Sequence, residues 1–227
     1  MRLSKRHESE SCFGLTTAMT AQVIPFNPLD KRNLGESVTQ ALLTAPAMPL
    51  DRLASFPGAG VYALYYTGGF SAYAKLAKRA KSAPGRDQAA IPIYVGKAVP
   101  AGARRGVRSG VIDNLPGKVL YKRLEEHAQS IDAAQNLDLA DFQCRFLVVD
   151  DIWIPLGESL LIARFTPLWK TLIDGFGNHD PGSGRYAGVR PRWDVLHPGR
   201  AWATRLKERE ETAEEIAMDA VTFLNAR

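Results

Sequence analysis

Gly60-Val61-Tyr62-Ala63-Leu64-Tyr65-Tyr66 and, further along, Ile91-Pro92-Ile93-Tyr94-Val95-Gly96-Lys97 are the stretches from which this sequence can be read outward. Each is a short apolar run, rich in β-branched and aromatic residues and edged by glycine or proline, the pattern of a buried strand. Side chains alternate faces along a strand, so neighbouring strands can carry Tyr62 and Tyr94 close together on one face of a sheet. A strand tyrosine ordinarily just packs. Interest in this pair comes from the polar residues that follow in order: Arg123 and His127, then Glu158, then Asn178.

Outward from these strands the chain alternates helical and extended patterns. Leu34, Val38, Ala41 and Leu42 recur at helical spacing, and Pro46 and Pro49 end that helix. Residues 1–30 show no sustained periodicity and read as a flexible arm, with Met19 an alternative start. The interruption between the tyrosine strands exceeds what a compact hairpin needs, and it contains a helix over Ser71–Lys81 carrying Lys75, Lys78, Arg79 and Lys81. After the second strand comes a glycine- and arginine-rich segment with Arg104, Arg105 and Arg108, opposed only by Asp113. These two basic stretches flank one strand and are expected to line a groove for DNA, because phosphate neutralisation supplies most non-specific affinity. Val119–Ile131 reads as a helix with Leu120, Leu124 and Ile131 on its apolar side; Arg123 and His127, four apart, share a face. Phe142–Val149 reads as a third strand, Gly157–Phe165 as a helix ended by Pro167, and Glu208–Arg227 as a peripheral charged helix.

Composition narrows the class. The 227 residues, 45% hydrophobic and 23% charged, describe a soluble globular chain, with length for one generous domain or a core with appended arms. A net charge of +5 suits a polyanionic partner. Cys12 and Cys144 form no Cys-x-x-Cys pattern, which argues against a zinc site or a disulfide framework and fits a reducing cytoplasm. No stretch approaches the roughly 18 apolar residues of a membrane span. Met1–Gly14 lacks the apolar centre of a signal peptide, so the expected location is the cytoplasm, away from membranes.

Tyr62, Tyr94, Arg123, His127, Glu158 and Asn178, in this order, resemble the GIY-YIG nuclease superfamily, with valine in place of both isoleucines. The resemblance spans roughly residues 45–205. Four runs are similar to one branch of it, the Type II restriction endonucleases that cut CCGCGG-type sites (SacII specificity). They are Gly60-Val61-Tyr62-Ala63-Leu64-Tyr65-Tyr66-Thr67-Gly68, the ten residues from Ile93 to Gly102, Asp174-Gly175-Phe176-Gly177-Asn178-His179, and Trp193-Asp194-Val195-Leu196-His197-Pro198-Gly199-Arg200. The fold this implies is α/β (α+β): a small antiparallel three-stranded sheet flanked by helices, with basic insertions and helical extensions at both ends. The nuclease domain would occupy 31–205, between the arm and a C-terminal extension over 206–227.

Phosphodiester hydrolysis needs a deprotonated water, stabilised phosphoryl oxygens and a neutralised leaving oxygen. Glu158 shares a helical stripe with Leu161, Ile162 and Phe165, a costly place for an unpaired carboxylate. Two readings stand on spacing alone: a first-turn glutamate favoured by the helix dipole, or a cation ligand. The resemblance implies the second, a single Mg²⁺ that keeps most of its waters. It also implies Tyr62 as general base, with Lys97, Arg123 and the metal as the cations that would lower its pKa. Tyr94 would position water or phosphate, and Arg123 would donate to the scissile phosphate. His127 either takes part in proton transfer or orients the phosphate. Asn178 would be a scaffold residue. Base reading falls to a pool of Arg104, Arg105, Arg108, Arg185, Arg190 and Arg192. A palindromic site in double-stranded DNA implies a homodimer on DNA. A cognate methyltransferase encoded nearby is expected, without a physical complex. Against this stand a repair or homing nuclease, whose separate DNA-binding domain is not visible in the sequence, and a DNA-binding protein that no longer cleaves.

Overall fold

The structure, a computed structural model, describes residues 27–82, 90–100, 117–182 and 184–227. The first helix, α1 (Lys31–Thr44), starts where Asp30 accepts a hydrogen bond from the Arg32 amide and stops ahead of Pro46. Arg145, buried, donates to the carbonyls of Leu43 and Ala45 and so satisfies that helix end.

Four strands form one sheet: β1 (Met48–Pro49), β2 (Gly60–Tyr66), β3 (Tyr94–Ala98) and β4 (Phe142–Val148), in the order β1-β4-β2-β3 with every pair antiparallel. The mixed α/β class and the antiparallel sheet agree with expectation; the strand count does not. Met48–Pro49 pairs with Gln143 and Cys144, a two-residue strand in a proline-bounded segment whose sequence signals only the end of a helix. The second tyrosine strand begins at Tyr94 rather than Ile91, since Pro92 has no amide to donate, although Ile93 already bonds to the Leu64 carbonyl.

β2 is central and buried along its whole length, with each face serving a different layer. Tyr62, Leu64 and Tyr66 join the larger core, with Leu120, Leu124, Trp169, Phe176 and Trp193. Val61, Ala63 and Tyr65 join a smaller one with Leu42, Leu43, Val95 and Leu161. The first core is covered by α2 (Ala74–Lys81), α3 (Val119–Asp132), α5 (Leu168–Thr171), α6 (Arg192–Leu196) and α7 (Ala213–Asn225); the second by α1 and α4 (Ile154–Phe165). Register places Tyr62 opposite Gly96, and a Cβ at Gly96 would collide with the Tyr62 hydroxyl. The glycine after Tyr94-Val95 therefore leaves room for the first tyrosine.

The C-terminal helix is not peripheral. A capping box between Thr212 and Glu215 starts α7, and Ile216, Ala220 and Leu224 are buried in the larger core. Its far end is capped by the basic helix: Lys75 donates to the carbonyls of Leu224 and Arg227, and Arg79 reaches that of Arg227. Two of the four cations on this helix, expected to line a DNA groove, thus serve a helix end.

Candidate active site

Tyr62 and His127 are both buried, at 0% and 1% exposure, and the Tyr62 Oη lies 2.6 Å from His127 Nε2. Burial holds the phenol well above its ordinary pKa; the nearby Tyr94 adds to this, and the Arg123 charge works against it. Burial also pushes the imidazole well below its ordinary value, assisted by Arg123 and other cations. A neutral phenol and a neutral imidazole therefore share this hydrogen bond. This corrects the expected cationic lowering of Tyr62: burial outweighs Arg123, and Lys97 pairs with Glu158 instead.

His127 occupies the apolar stripe of α3, between Leu124 and Ile131, with Arg123 half-buried beside it. The imidazole stacks on Phe176 at 4.5 Å and 16°, and meets the Tyr94 ring edge-on at 5.1 Å. Tyr62 and Tyr94 share the same sheet face, their rings 6.2 Å apart. Arg123 donates to the Gly177 carbonyl at 2.8 Å and to Glu126 at 2.9 Å, and makes a hydrogen bond to His179. A Cβ at Gly177 would sit 2.7 Å from the Tyr94 hydroxyl and 3.3 Å from the Arg123 guanidinium, so only glycine lets the turn close on both.

Glu158, 8% exposed, reaches the same place from α4. Its oxygens accept from Lys97 at 2.8 Å and from Lys170 at 3.0 Å. Burial opposes its ionisation, but the hydrogen bonds and charges of the two lysines prevail and hold the carboxyl below its ordinary pKa. Lys170 also lies 5.5 Å over the Tyr94 ring, and the Glu158 charge acts on the Tyr62 phenol. The carboxylate and the phenols thus converge on the edge strand β3. Among the described residues no group of three or more His, Cys, Asp or Glu gathers that could hold a metal, and Glu158 is the carboxylate that a cation at this place would meet. That donor set suits a largely hydrated Mg²⁺, for which one carboxylate plus substrate oxygens is a common arrangement. Both oxygens already attract cationic groups, as such a ligand must.

The sequence model of the Eco29kI GIY-YIG domain matches residues 54–224. The chain belongs to this restriction endonuclease family. No curated protein matches it. The fold is therefore that of a GIY-YIG domain, and the enzyme class that of an endonuclease acting on DNA.

Within this GIY-YIG domain, Tyr62, Tyr94, Arg123 and His127 lie together, and Glu158 with Lys97 reaches them by way of Lys170 over the Tyr94 ring. Asn178 does not: its side chain is exposed, and it contributes through its backbone, with its N–H bonded to the Gly175 carbonyl and its own carbonyl to Arg200. Lys170, Phe176 and His179 belong to the cluster and were not anticipated. His179 adjoins Asn178 in a quoted run, a signal that was available; Lys170 lies on a four-residue helix with no periodicity to read. Two members of the base-reading pool are engaged internally. Arg190 donates to the carbonyls of Ala203 and Thr204. Arg192 holds the Leu172 carbonyl, Glu211 and Asp219. Arg185 is exposed. Arg104, Arg105 and Arg108 lie outside the described residues.

Proposed function

We propose that this endonuclease is a Mg²⁺-dependent Type II site-specific deoxyribonuclease that cuts both strands of DNA at a short G·C-rich palindrome of the CCGCGG type, acting as a homodimer on DNA. A cognate methyltransferase would protect the host's own sites. The observation that carries the chemistry is the buried 2.6 Å hydrogen bond between Tyr62 and His127.

A phenol of ordinary pKa near 10 costs about 4 kcal/mol to ionise at neutral pH, and burial makes Tyr62 costlier still. The pair avoids a standing phenolate. As a water proton moves to the Tyr62 oxygen, the phenolic proton moves to His127 Nε2; the imidazolium so formed is transient, since burial disfavours it, and its proton returns to solvent as product leaves, with Tyr62 the relay. Arg123 lies beside this pair, where its guanidinium would face the phosphoryl oxygens, with Tyr94 donating to water or phosphate. Glu158 would hold Mg²⁺, which supplies Lewis-acid stabilisation of phosphate charge. Lys97 and Lys170, released from the carboxylate, would remain as cations near the leaving oxygen.

The test is to incubate purified protein with plasmid DNA and Mg²⁺ and sequence the fragment ends. Discrete fragments ending at one G·C-rich palindrome are expected. A smear, nicking without sequence preference, or intact plasmid would overturn the proposal.

A further inference from the structure

Arg200 ends the Trp193–Arg200 run, and the chemistry above makes no use of it. Its side chain is 4% exposed. A guanidinium offers five N–H donors, and five acceptors surround this one. Nε donates to Asp194 Oδ1 at 2.7 Å, and Nη2 to Asp194 Oδ2 at 2.6 Å and to the Gly175 carbonyl at 2.9 Å. Nη1 donates to the carbonyls of Phe176 at 3.2 Å and Asn178 at 3.1 Å. The rings of Trp193 and Trp202 lie 4.5 and 4.7 Å from Cζ.

Three of these acceptors belong to one turn, Gly175–Asn178. The remaining carbonyl of that turn, Gly177, accepts from Arg123 Nη2 at 2.8 Å. The turn is thus held between two guanidiniums, one wholly internal and one at the site. A buried ion pair alone is weak ground for a role, since desolvation offsets much of the attraction. Direction is what sets this one apart: with the carbonyls on either side held by Arg200, the Gly177 carbonyl is turned toward Arg123.

We infer that Arg200 is a positioning residue for the cleavage reaction: by binding the carbonyls of Gly175, Phe176 and Asn178 it aims the Gly177 carbonyl at Arg123 and sets the guanidinium that meets the scissile phosphate. The inference rests on the site assignment proposed above. A lysine at 200 has three donors from one nitrogen and cannot span the five acceptors.

The test measures single-turnover cleavage and DNA affinity for Arg200→Lys, alone and combined with Arg123→Ala, using plasmid cutting followed long enough to register slow rates. Arg200→Lys should cut at least about thirtyfold more slowly while binding DNA within about threefold of wild type. In the Arg123→Ala background the same change should cost less than about threefold, because its target is gone. Equal losses in both backgrounds, or wild-type cutting by folded Arg200→Lys, would overturn the inference. Should Arg200→Lys fail to fold by circular dichroism, Trp202→Leu takes its place in the same cycle. It loosens the guanidinium from a half-buried ring, with a smaller loss expected and the same criterion of silence in Arg123→Ala. Tyr62→Phe and Arg123→Ala run alongside. If either cuts like wild type, the site assignment itself fails; if both lose cutting while Arg200→Lys does not, only the positioning role fails.

Discussion

Removing one oxygen from the buried pair tests the relay most directly. Tyr62→Phe keeps the ring that packs in the larger core and over Gly96, and deletes the hydroxyl that lies 2.6 Å from His127 Nε2. Two consequences follow, with different magnitudes. The neutral imidazole, 1% exposed, loses its buried hydrogen-bond partner, at a cost of about 1–3 kcal/mol of folding stability. Cleavage loses its proton path, and a positioned acid–base group contributes about 10²–10⁴ in rate. The variant should therefore remain folded at 25 °C, bind DNA nearly as wild type, and cut at least about a hundredfold more slowly across the accessible pH range. Urea denaturation, gel-shift affinity and single-turnover cutting with Mg²⁺ measure the three quantities separately. Cutting within threefold of wild type at every pH would remove Tyr62 from proton transfer. A rate loss matched by an equal loss of DNA affinity would assign it to binding instead.

Glu158→Gln should abolish cutting and leave DNA affinity largely intact; retained cutting would defeat the assignment of Glu158 as the metal carboxylate. Lys170→Met leaves that carboxylate with Lys97 as its one ammonium partner, so Mg²⁺ should bind the DNA-free protein about tenfold more tightly by calorimetry; unchanged affinity would show that the lysine does not compete. Acid should destabilise the fold through two histidines. Burial, with help from Arg123, depresses His127 well below its ordinary value, and burial alone brings His197 to about 3. Below about pH 6.5 the unfolded chain takes up both protons while the native state takes neither, so stability should fall by up to about 2.7 kcal/mol per pH unit toward pH 5. Replacing either histidine should halve that slope in denaturation curves, and a flat profile would refute the buried-neutral assignment.

How much of this could be read in advance depended on the range of the interaction. The strand identity of Gly60–Tyr66 and of the Tyr94 region, the Val119–Asp132 helix and the Phe142–Val148 strand rest on local periodicity, and all are found within a few residues of expectation. Met48–Pro49 was illegible because its strand character comes from β4 alone, with no pattern of its own. Basic residues were legible as charge but not as to partner. Lys75 and Arg79 cap a helix some 150 positions away in sequence, and Arg190 and Arg192 bind carbonyls and carboxylates of their own chain.

By itself the sequence determined which side chains could meet on a sheet face, since the strand repeat of two and the four-residue step from Arg123 to His127 are properties of the backbone. That a glycine stands opposite Tyr62 came only from the sheet register. Protonation and partnership were decided only in the tertiary structure. Burial keeps Tyr62 and His127 neutral, two lysines from separate elements pair with Glu158, and Arg200 binds the turn that Arg123 also meets. The reason is physical: pKa and hydrogen-bond direction depend on solvent exclusion and on charges brought close from distant parts of the chain, and no local pattern carries either.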